Sequence, residues 1–423
     1  MTESENLLPT IQRGDVDLMV PVGSFESLSA AVRSGADSVY FGIGRLNMRS
    51  RSAVNFTADD LAKIMRICKA FRKKAYLTLN VVFYDSDLEE MKRSVDLAVE
   101  NGINAVIASD QAVIRYARDA GMEVHLSTQV NISNTESLKF YSQFADVAVL
   151  ARELNLDQVA EIYSNIQKQD IRGPSGKLMQ LELFAHGALC MAISGKCYLS
   201  LHNHNYSANR GACLQDCRRS YRVTDMETGF EMEIDNKYIM SPKDLCTIHF
   251  LNKIIGAGVR VLKIEGRARP ADYVKVVTEC YNEALNALST DTYDSEKIEY
   301  WKSRLSSVFN RGFWDGYYLG QRLGEWSHTY GSKATKKKVY AAKCMNYFPK
   351  QGIAEFICEA GKVKKGDEII ITGPTTGALE QTIREIRVNY ETVDEAKAGE
   401  RFSIPVDRKT RRADKLYLLI ISE

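Results

Sequence analysis

The sequence predicts an α/β fold in which a closed (β/α)8 TIM-like barrel is followed by a small C-terminal β-barrel. Two observations predict the first part: eight short apolar runs alternate with helical patterns over about the first 290 residues, and glycines stand just before several of those runs. One observation predicts the second part: from about residue 338, apolar residues recur with a period of two between Gly and Asp turns.

The eight apolar runs are the expected barrel strands, because each is short and is followed by an amphipathic segment. Helices are expected over Phe25–Ala36 and from about Asp87 to Glu100. The glycines typical of helix ends are Gly35, Gly102, Gly121 and Gly258. The expected strands are Asp17–Ser24, Ser38–Gly42, Ala75–Asn80, Ala105–Ser109, Glu123–Gln129, Asp146–Arg152, Leu181–His186 and Val259–Glu265. An open doubly wound sheet is the alternative, since sequence alone does not reveal whether a sheet closes.

The stretch between the seventh and eighth predicted strands is unusually long. It exceeds seventy residues, and its segment at about 187–250 carries five of the nine cysteines of the chain. A long insertion at the C-terminal end of a barrel strand is where this fold builds active sites. We therefore expect a catalytic barrel domain over residues 1–330, with the cysteine-rich insertion at its mouth.

The second predicted domain covers residues 338–423 and resembles the second domain of translation elongation factors, a module often placed against RNA. Basic residues cluster at its start and near its end, although the formal charge of the whole chain is only +2. A solvated charged face explains either run alone, whereas both together favour nucleic acid as a partner. The basic residues are Lys333, Lys336, Lys337, Lys338, Arg408, Lys409, Arg411 and Arg412. A purely structural barrel is the alternative.

Composition and the N-terminus indicate where the chain works. At 423 residues and 45% apolar content it can bury a full core, yet it has no run of about 18 apolar residues that would predict a membrane span. The segment Met1–Glu5 is acidic and lacks the apolar core of a signal peptide. Nine cysteines in a chain without a signal sequence indicate the reducing cytosol, where clustered thiols favour metal over disulfides. We expect a cytoplasmic protein with no membrane partner.

Side-chain alternation predicts an unusually polar barrel interior. Successive side chains of a strand point to opposite faces, and a barrel interior is ordinarily filled by branched apolar residues. Here the inward set contains carboxylates, amides, imidazoles and cations. Its polar members near the strand ends are Asn80, Gln129, Arg152, Glu182, His186, Lys263 and Glu265, and His125 and Ser127 share the face of Gln129.

Two readings of this interior stay open. One is a self-satisfied network of ion pairs, with Lys263 bound to Glu265 or to Glu182. The other is a pocket for a carboxylated small molecule, because a guanidinium holds a carboxylate through two hydrogen bonds. The residues expected to bind that ligand are Arg49, Asn80, Gln129, Arg152 and Arg267. The residues expected to handle protons are Glu182, His186, Lys263 and Glu265.

The clustered cysteines indicate a metal centre, but their spacing does not select one metal. Gaps of six, fifteen, three and twenty-eight residues separate Cys190, Cys197, Cys213, Cys217 and Cys246. Zinc sites usually bring two close cysteine or histidine pairs, and only the gap of three is of that kind. The wider gaps suit an iron–sulfur cluster equally well or better. A structural zinc and unligated buried thiols remain alternatives.

The segment that begins this cluster resembles peptidase family U32, whose members were historically called collagenase-like proteases. The family pattern is Glu-x-Phe-x-x-Gly-Ala-x-Cys-x4-Gly-x-Cys-x-x-Ser, and this chain matches its fixed positions. The matching residues are Glu182, Phe184, Gly187, Ala188, Cys190, Gly195, Cys197 and Ser200. The resemblance continues through Arg210–Cys213, Ser241–Cys246 and Lys263–Arg267, so it covers most of residues 15–290.

The resemblance implies an enzyme that hydroxylates its substrate without molecular oxygen. Family members of that kind carry a 4Fe-4S cluster on four cysteines, which correspond here to Cys190, Cys197, Cys213 and Cys246 and leave Cys217 as a spare thiol. The branch with a C-terminal barrel is linked to 5-hydroxyuridine at the wobble position of tRNA, with prephenate implied as the oxygen donor. The resemblance thus implies a tRNA uridine hydroxylase that binds tRNA and a carboxylated donor.

A peptidase is the alternative function, as the family label states. The residues give it little support, because the sequence has no His-Glu-x-x-His helix and no Gly-x-Ser-x-Gly elbow. His186 and Cys190 could form a thiol–imidazole pair, but a cysteine committed to iron cannot attack a peptide, so these two readings exclude each other. A non-catalytic RNA-binding module is the third hypothesis.

Overall fold

The computed structural model describes residues 11–50, 55–221, 223–224, 226–229, 231–232, 240–321, 324–327 and 331–422. The ends of the predicted domains at residues 1–10, 328–330 and 423 lie outside these ranges. The strands of the barrel domain are β1 Asp17–Pro21, β2 Ser38–Phe41, β3 Lys74–Leu79, β4 Ala105–Ala108, β5 Glu123–Leu126, β6 Val147–Val149, β7 Gln180–Ala188, β8 Val223–Thr224, β9 Glu231–Met232, β10 Asp244–Cys246, β11 Val259–Ile264 and β12 Phe313–Trp314.

Most of the helices alternate with these strands along the chain. They are α1 Phe25–Arg33, α2 Leu61–Ala70, α3 Leu88–Glu100, α4 Gln111–Asp119, α5 Thr135–Ser142, α6 Leu156–Lys168, α7 Leu199–His204, α8 Leu251–Gly256, α9 Ala271–Ser289 and α10 Ser295–Ser306. Within the described ranges, no helix is both long enough and apolar enough to cross a membrane.

Among the described residues, eight parallel strands close into a barrel. Around the ring the order is β11, β1, β2, β3, β4, β5, β6 and β7, and a parallel pairing of β7 with β11 completes it. The predicted (β/α)8 barrel is therefore confirmed, and the open doubly wound sheet is wrong.

The apolar residues of the strands divide between two cores. The outward residues Leu262 and Ile264 belong to the large core beneath the helices. In α1, Ser24 caps the first turn by accepting a hydrogen bond from the backbone N–H of Ser27, which fixes where that covering helix begins. A separate inner cluster partly fills the barrel lumen: Met19, Tyr40, Tyr76, Ala105, Ile107, Val147 and Val261.

Several strands are shorter at their C-terminal ends than the sequence predicts. β5 ends at Leu126 and β6 at Val149, whereas the predicted strands run to Gln129 and Arg152. Residues Thr128–Val130 form a 3-10 turn instead. Gln129 and Arg152 therefore lie in loops at the barrel mouth rather than in strands.

The cysteine-rich insertion follows β7 and contains α7, α8 and the strands β8 to β10. β10 pairs antiparallel with the C-terminal end of β7, and β12 pairs parallel with β10. The insertion is thus tied to the barrel wall at the mouth, where the fold places its active site.

The strands from residue 336 onward form a second domain with its own apolar core. They are β13 Lys336–Phe348, β14 Ile353–Cys358, β15 Lys362–Lys364, β16 Glu368–Gly373, β17 Gly377–Thr382, β18 Ile386–Val388, β19 Glu391–Val393, β20 Glu395–Lys397, β21 Arg401–Pro405 and β22 Lys415–Ile421. Eight of them form one antiparallel sheet, and β15 pairs with β20. The predicted change to β-structure is confirmed.

This domain packs tightly against α1 of the barrel domain. Gly377 has φ +73°, and a Cβ atom there would lie 2.7 Å from the backbone nitrogen of Ala30. The hydroxyl of Ser29 donates a hydrogen bond to the carbonyl oxygen of Pro374 at 2.6 Å. Only glycine fits such a close approach at this backbone conformation.

Candidate active site

A cavity of about 210 Å³ lies at the barrel mouth, between the strand ends and the cysteine-rich insertion. The predicted site residues that line it are Arg49, Asn80, Gln129, Arg152, Cys190, Cys213, Lys263, Glu265 and Arg267. The predicted site residues outside its lining, within the described part of the chain, are Glu182, His186, Cys197 and Cys246. The structure thus brings all five residues that were predicted to bind the ligand together in one place.

The cavity carries a large excess of positive charge. Seven of its lining side chains are arginine or lysine, and Glu265 is the one carboxylate among them. A buried cation without a counter-ion is costly, so this surplus indicates a site for an anion. The seven cations are Arg49, Arg152, Arg218, Lys263, Arg267, Arg269 and Arg311.

Glu265 is held by Arg49, whose Nη2 lies 2.9 Å from Oε1 of the carboxylate. Burial acts to raise the pKa of Glu265, but the guanidiniums of Arg49, Arg267 and Arg152 outweigh burial and hold that pKa at about 2. Glu265 is therefore ionised at neutral pH. Lys263 and Arg311 are paired with carboxylates behind the lining, which leaves four cavity arginines without an ion pair within the described residues: Arg152, Arg218, Arg267 and Arg269.

Arg152 and Arg267 have hydrogen-bond donors to spare. Arg267 Nη1 donates to Thr78 Oγ1 at 2.7 Å, and burial lowers the pKa of Arg267 to about 10. The guanidinium carbon of Arg152 lies 4.0 Å from the ring centroid of Phe184. The Nε atoms of both arginines are buried and have no hydrogen-bond partner within the described residues. A carboxylate in the cavity would satisfy these donors.

Sequence reasoning missed three of the cavity cations, Arg218, Arg269 and Arg311. The guanidinium carbon of Arg269 lies 3.5 Å from the ring centroid of Phe309, and burial lowers the pKa of Arg269. The inward alternation of the predicted strand Val259–Glu265, continued to Arg267 and then Arg269, would have identified Arg269. Arg218 lies in the insertion and Arg311 in the loop before β12, and the paths of both loops depend on distant contacts.

Asn80 and Gln129 lie in the cavity lining, and Gln129 also supports the insertion. A Cβ atom on Gly195 would come within 2.8 Å of Gln129 Cγ, and one on Gly211 within 2.3 Å of the carbonyl oxygen of Asn47. Both glycines have positive φ, +74° and +83°. The cysteine-bearing segments can therefore lie directly on the barrel mouth because these positions carry no side chain.

Lys263 connects the cavity to the lower part of the lumen. Its Nζ lies 2.6 Å from Oε1 of Glu182, so of the two ion pairs expected for Lys263 the structure contains this one. The other oxygen of Glu182 faces Nδ1 of His125 at 3.7 Å. Burial acts to raise the pKa of Glu182, but Lys263 and His125 hold that pKa below its ordinary value.

His186 does not face the lumen, so the orientation predicted from alternation is wrong. β7 contributes two residues, Ala185 and His186, where β11 contributes only Ile264. This β-bulge reverses the alternation. His186 consequently packs against Tyr281 of α9, with ring centroids 5.6 Å apart, and burial lowers its pKa to about 3.

Four of the five clustered thiols gather at the cavity. Cys190, Cys213 and Cys217 line it, and the pKa of Cys197 is raised by burial and by the neighbouring thiols of Cys190 and Cys213. Burial raises the pKa of Cys217 to about 11; Arg218 opposes this shift, and the thiols of Cys190, Cys213 and Cys197 add to it. These mutual electrostatic effects place the four thiols in one region at the cavity, and none of them forms a disulfide.

Cys246 is not part of the cavity lining, and the groups that shift its pKa do not include the four thiols. It belongs to β10, is the register partner of His186, and is 3% exposed. Burial raises its pKa to about 11, and its polar neighbours include the hydroxyl of Tyr281. Of the set implied by the family resemblance, Cys190 and Cys213 line the cavity, as does Cys217, whereas Cys246 does not.

The four thiols at the cavity are a donor set of the kind that binds an iron–sulfur cluster, which is held by cysteine thiolates around its outside. Within the described ranges, no three Cys, His, Asp or Glu side chains are placed to hold one metal ion.

Known proteins resemble the chain over most of its length. The sequence model of peptidase family U32 matches residues 23–328. The chain is 60% identical over 403 residues to a collagenase of Porphyromonas gingivalis, which covers 95% of this chain and 97% of that protein. It is 31% identical over 378 residues to tRNA hydroxylation protein P1 of Bacillus subtilis, covering 88% and 86% of the two proteins. It is 32% identical over 324 residues to a 23S rRNA 5-hydroxycytidine synthase of Escherichia coli, covering 75% and 47%.

Proposed function

The chain belongs to peptidase family U32, and we propose that it is an iron–sulfur enzyme that hydroxylates a uridine in RNA. The observation that carries the proposal is the cationic cavity with four thiols beside it, because it joins a site for an anion to a site for a cluster. Two relatives named for the hydroxylation of tRNA and for a hydroxycytidine of rRNA support RNA as the substrate class.

We assign Cys190, Cys197, Cys213 and Cys217 as the residues that would hold a 4Fe-4S cluster. Such a cluster supplies one-electron redox chemistry when bound. Arg218 lies beside the thiols of Cys217 and Cys190 and interacts electrostatically with both. A cation in that position favours thiolates, which are the form that binds iron.

The cavity cations would bind a carboxylated oxygen donor, for which prephenate is the candidate that the resemblance implies. Arg152 and Arg267 contribute buried Nε–H groups, and Arg269 has no carboxylate partner among the described residues. A dicarboxylate would bring two negative charges to these guanidiniums, and each charge can be held bidentately. Asn80 and Gln129 would orient its neutral polar groups.

Lys263 is the residue best placed to move a proton in this cavity. Its ammonium reaches the lining and is anchored from behind by Glu182. A general acid must come within hydrogen-bonding distance of the group that it protonates, and the tip of Lys263 meets that condition for a ligand in the cavity. Glu265, ionised and held by Arg49, would accept hydrogen bonds from the ligand. His186 faces α9 and has no geometric ground for a proton role.

The C-terminal domain would hold the RNA backbone. Lys409, Arg411 and Arg412 are exposed and form no ion pair within the described residues, whereas Lys336 and Lys338 are bound to carboxylates. Cations without partners attract phosphates electrostatically. A single-stranded loop can splay one base into a pocket, so we propose the wobble uridine in the tRNA anticodon loop as the substrate.

The test is nucleoside mass spectrometry of tRNA from a deletion strain, complemented with wild-type or variant genes. We expect 5-hydroxyuridine and its derivatives to disappear on deletion, to return with the wild type, and to stay absent with Arg152→Gln. An unchanged tRNA profile on deletion would contradict the tRNA proposal, and a missing hydroxycytidine in rRNA would redirect it to that RNA.

A peptidase is the second candidate, favoured by the collagenase name of a relative that is 60% identical. Strand register pairs Cys246 with His186, a combination that could act as a thiol nucleophile and base, but both side chains are buried. Digestion of gelatin by the wild type but not by Cys246→Ala would support this candidate. Equal or absent cleavage by both proteins would remove it.

A further inference from the structure

A row of titratable side chains runs through the barrel lumen from the cavity to the opposite, N-terminal end of the strands. It begins at Lys263 and passes through Glu182 and His125 to Glu123, the first residue of β5, whose side chain is 46% exposed. The successive N···O distances are 2.6, 3.7 and 3.1 Å. Only Lys263 has a direct role in the function proposed above.

We propose that these four side chains form a proton relay between solvent at the N-terminal end of the barrel and Lys263 in the cavity. The relay rests on the proposed function, since it assigns the cavity as the place of reaction. Glu123, His125 and Glu182 act through Lys263 and do not touch the substrate. The relay would let the cavity exchange protons while RNA covers its mouth.

The geometry of the row follows from the strands. Glu123 and His125 are two residues apart on β5, so they share the inward face, and Glu182 reaches them from β7. His125 Nδ1 and Glu182 Oε2 are buried, face each other and have no hydrogen-bond partner within the described residues. A network built for stability alone would satisfy both atoms. The gap of 3.7 Å is one that a small rotation of either side chain closes.

His125 is suited to carry the proton near neutral pH. Burial acts to lower the pKa of His125, but its contacts with Glu123 and Glu182 outweigh burial and raise that pKa above its ordinary value. An imidazole can take a proton on one nitrogen and release one from the other. The other titratable groups around it are the Tyr76 ring of β3, 4.6 Å away, and Asp17 of β1, which is bonded to the hydroxyl of that tyrosine. The positive charges of Lys74 and Lys177 contribute to lowering the pKa of Glu123.

Each transfer moves one proton and breaks no bond to carbon. Lys263 gives a proton to a group in the cavity and becomes a neutral amine. Glu182 returns a proton to that amine and receives one from His125 Nδ1. Glu123 takes a proton from water and delivers it to His125 Nε2. The sum is one proton moved from solvent to the cavity, with no oxidant or reductant consumed. His125 is left with its proton on Nε2, so a change of tautomer at His125 and a reorientation of the Glu182 carboxyl group reset the row before the next transfer.

The test uses the full-length protein with Glu123→Gln as the relay variant and Tyr76→Phe as the matched control, because Tyr76 contacts His125 but lies outside the row. The first measurement is the rate at which the His125 imidazole N–H exchanges with water, followed by NMR on ¹⁵N-histidine protein. We expect Glu123→Gln to slow this exchange about tenfold or more, since general acid–base groups contribute factors of about 10² or above. Tyr76→Phe should leave the exchange rate within about twofold of the wild type.

The second measurement is single-turnover RNA hydroxylation as a function of pH in H₂O and D₂O. We expect Glu123→Gln to lower the rate about tenfold, to increase the solvent isotope effect and to leave donor affinity unchanged. Wild-type turnover in Glu123→Gln would overturn the relay, whatever the exchange rate. If the wild type hydroxylates no RNA, the proposed function fails, and the exchange measurement alone decides the relay: unchanged exchange in Glu123→Gln overturns it.

Discussion

The two halves of the barrel lumen contain the same kinds of side chain but differ in charge balance. In the lower half, Lys263, Glu182, His125 and Glu123 alternate, and each lies within 3.7 Å of an oppositely charged or titratable neighbour. In the upper half, six arginines line a cavity with one carboxylate, and four of them form no ion pair within the described residues. The lower half nearly balances its charges, whereas the upper half keeps a surplus of positive charge that an anion would offset. The difference indicates where an anion would bind.

The largest expected effect concerns the thiols at the cavity and the iron–sulfur cluster that we propose they bind. Cys217→Ala should lose most of the iron of anaerobically prepared protein, from about four atoms per chain, together with its visible absorbance. Cys246→Ala should keep both, because Cys246 is not part of the cavity lining. Iron analysis and absorption spectra check this. Iron lost from Cys246→Ala and kept by Cys217→Ala would restore the ligand set that the family resemblance implies.

Breaking the balanced half should destabilise the protein strongly. Glu182→Gln leaves the Lys263 ammonium buried without its counter-ion, and we expect a loss of about 3–5 kcal/mol in the free energy of unfolding. Arg152→Gln in the unbalanced half is the matched control, with an expected change within about 1 kcal/mol in either direction. Urea unfolding measures both. Equal losses in the two variants would abolish the distinction between the halves.

Removing cations from the upper half should weaken donor binding instead. Arg267→Gln should raise the dissociation constant for prephenate about 10- to 100-fold, because a hydrogen bond to a charged group contributes about 1.5–3 kcal/mol. Arg172→Gln, on the outer surface and bound to Asp170, is the control and should leave the constant unchanged. Calorimetry on the two variants gives the comparison. Equal affinities would show that the surplus charge serves another ligand.

The free energy of unfolding at acid pH depends on Glu265, the carboxylate that lines the cavity. The pKa of Glu265 is held at about 2 in the folded protein, below its ordinary value of 4.5, so its contribution is present above about pH 4.5 and is lost as pH falls toward 2. Glu265→Gln should therefore flatten the fall in unfolding free energy over that interval by roughly 1–3 kcal/mol. Denaturant unfolding at several pH values tests this. An unaltered slope would mean that Arg49 does not stabilise the ionised form.

The smallest expected effect concerns the RNA contacts outside the barrel. Lys409→Ala combined with Arg412→Ala should weaken tRNA binding several-fold and reduce the slope of affinity against salt by about 2. Arg115→Ala, on the exposed face of α4, is the control and should leave the slope unchanged. Filter binding over a salt series measures both variants. A slope unchanged in the double variant would remove the C-terminal domain from the RNA path.

The barrel was predictable because its signals are local. Apolar runs of strand length and glycines such as Gly35 and Gly258 mark each unit along the chain. The orientation of His186 was not predictable, because the bulge at Ala185 appears only when β7 is paired with β11. The position of Cys246 outside the cavity lining likewise depends on β10 joining β7, a contact between distant parts of the sequence. Local periodicity thus predicts the barrel, whereas the pairing register between strands determines which side chains lie at the site.

The glycine contact between the two domains has a consequence for substrate choice. Gly377 allows the C-terminal domain to contact the backbone of α1 directly. The ion pair between Lys338 of β13 and Asp272 of α9 is a second contact between the domains. Two domains in such close contact cannot rotate relative to each other to accommodate different RNAs. On the proposed function, the distance between the phosphate-binding residues and the cavity is therefore fixed. The protein would then select RNAs by the shape of their folds. Gly377→Val, which disturbs the domain contact, should broaden the range of RNAs that the protein accepts.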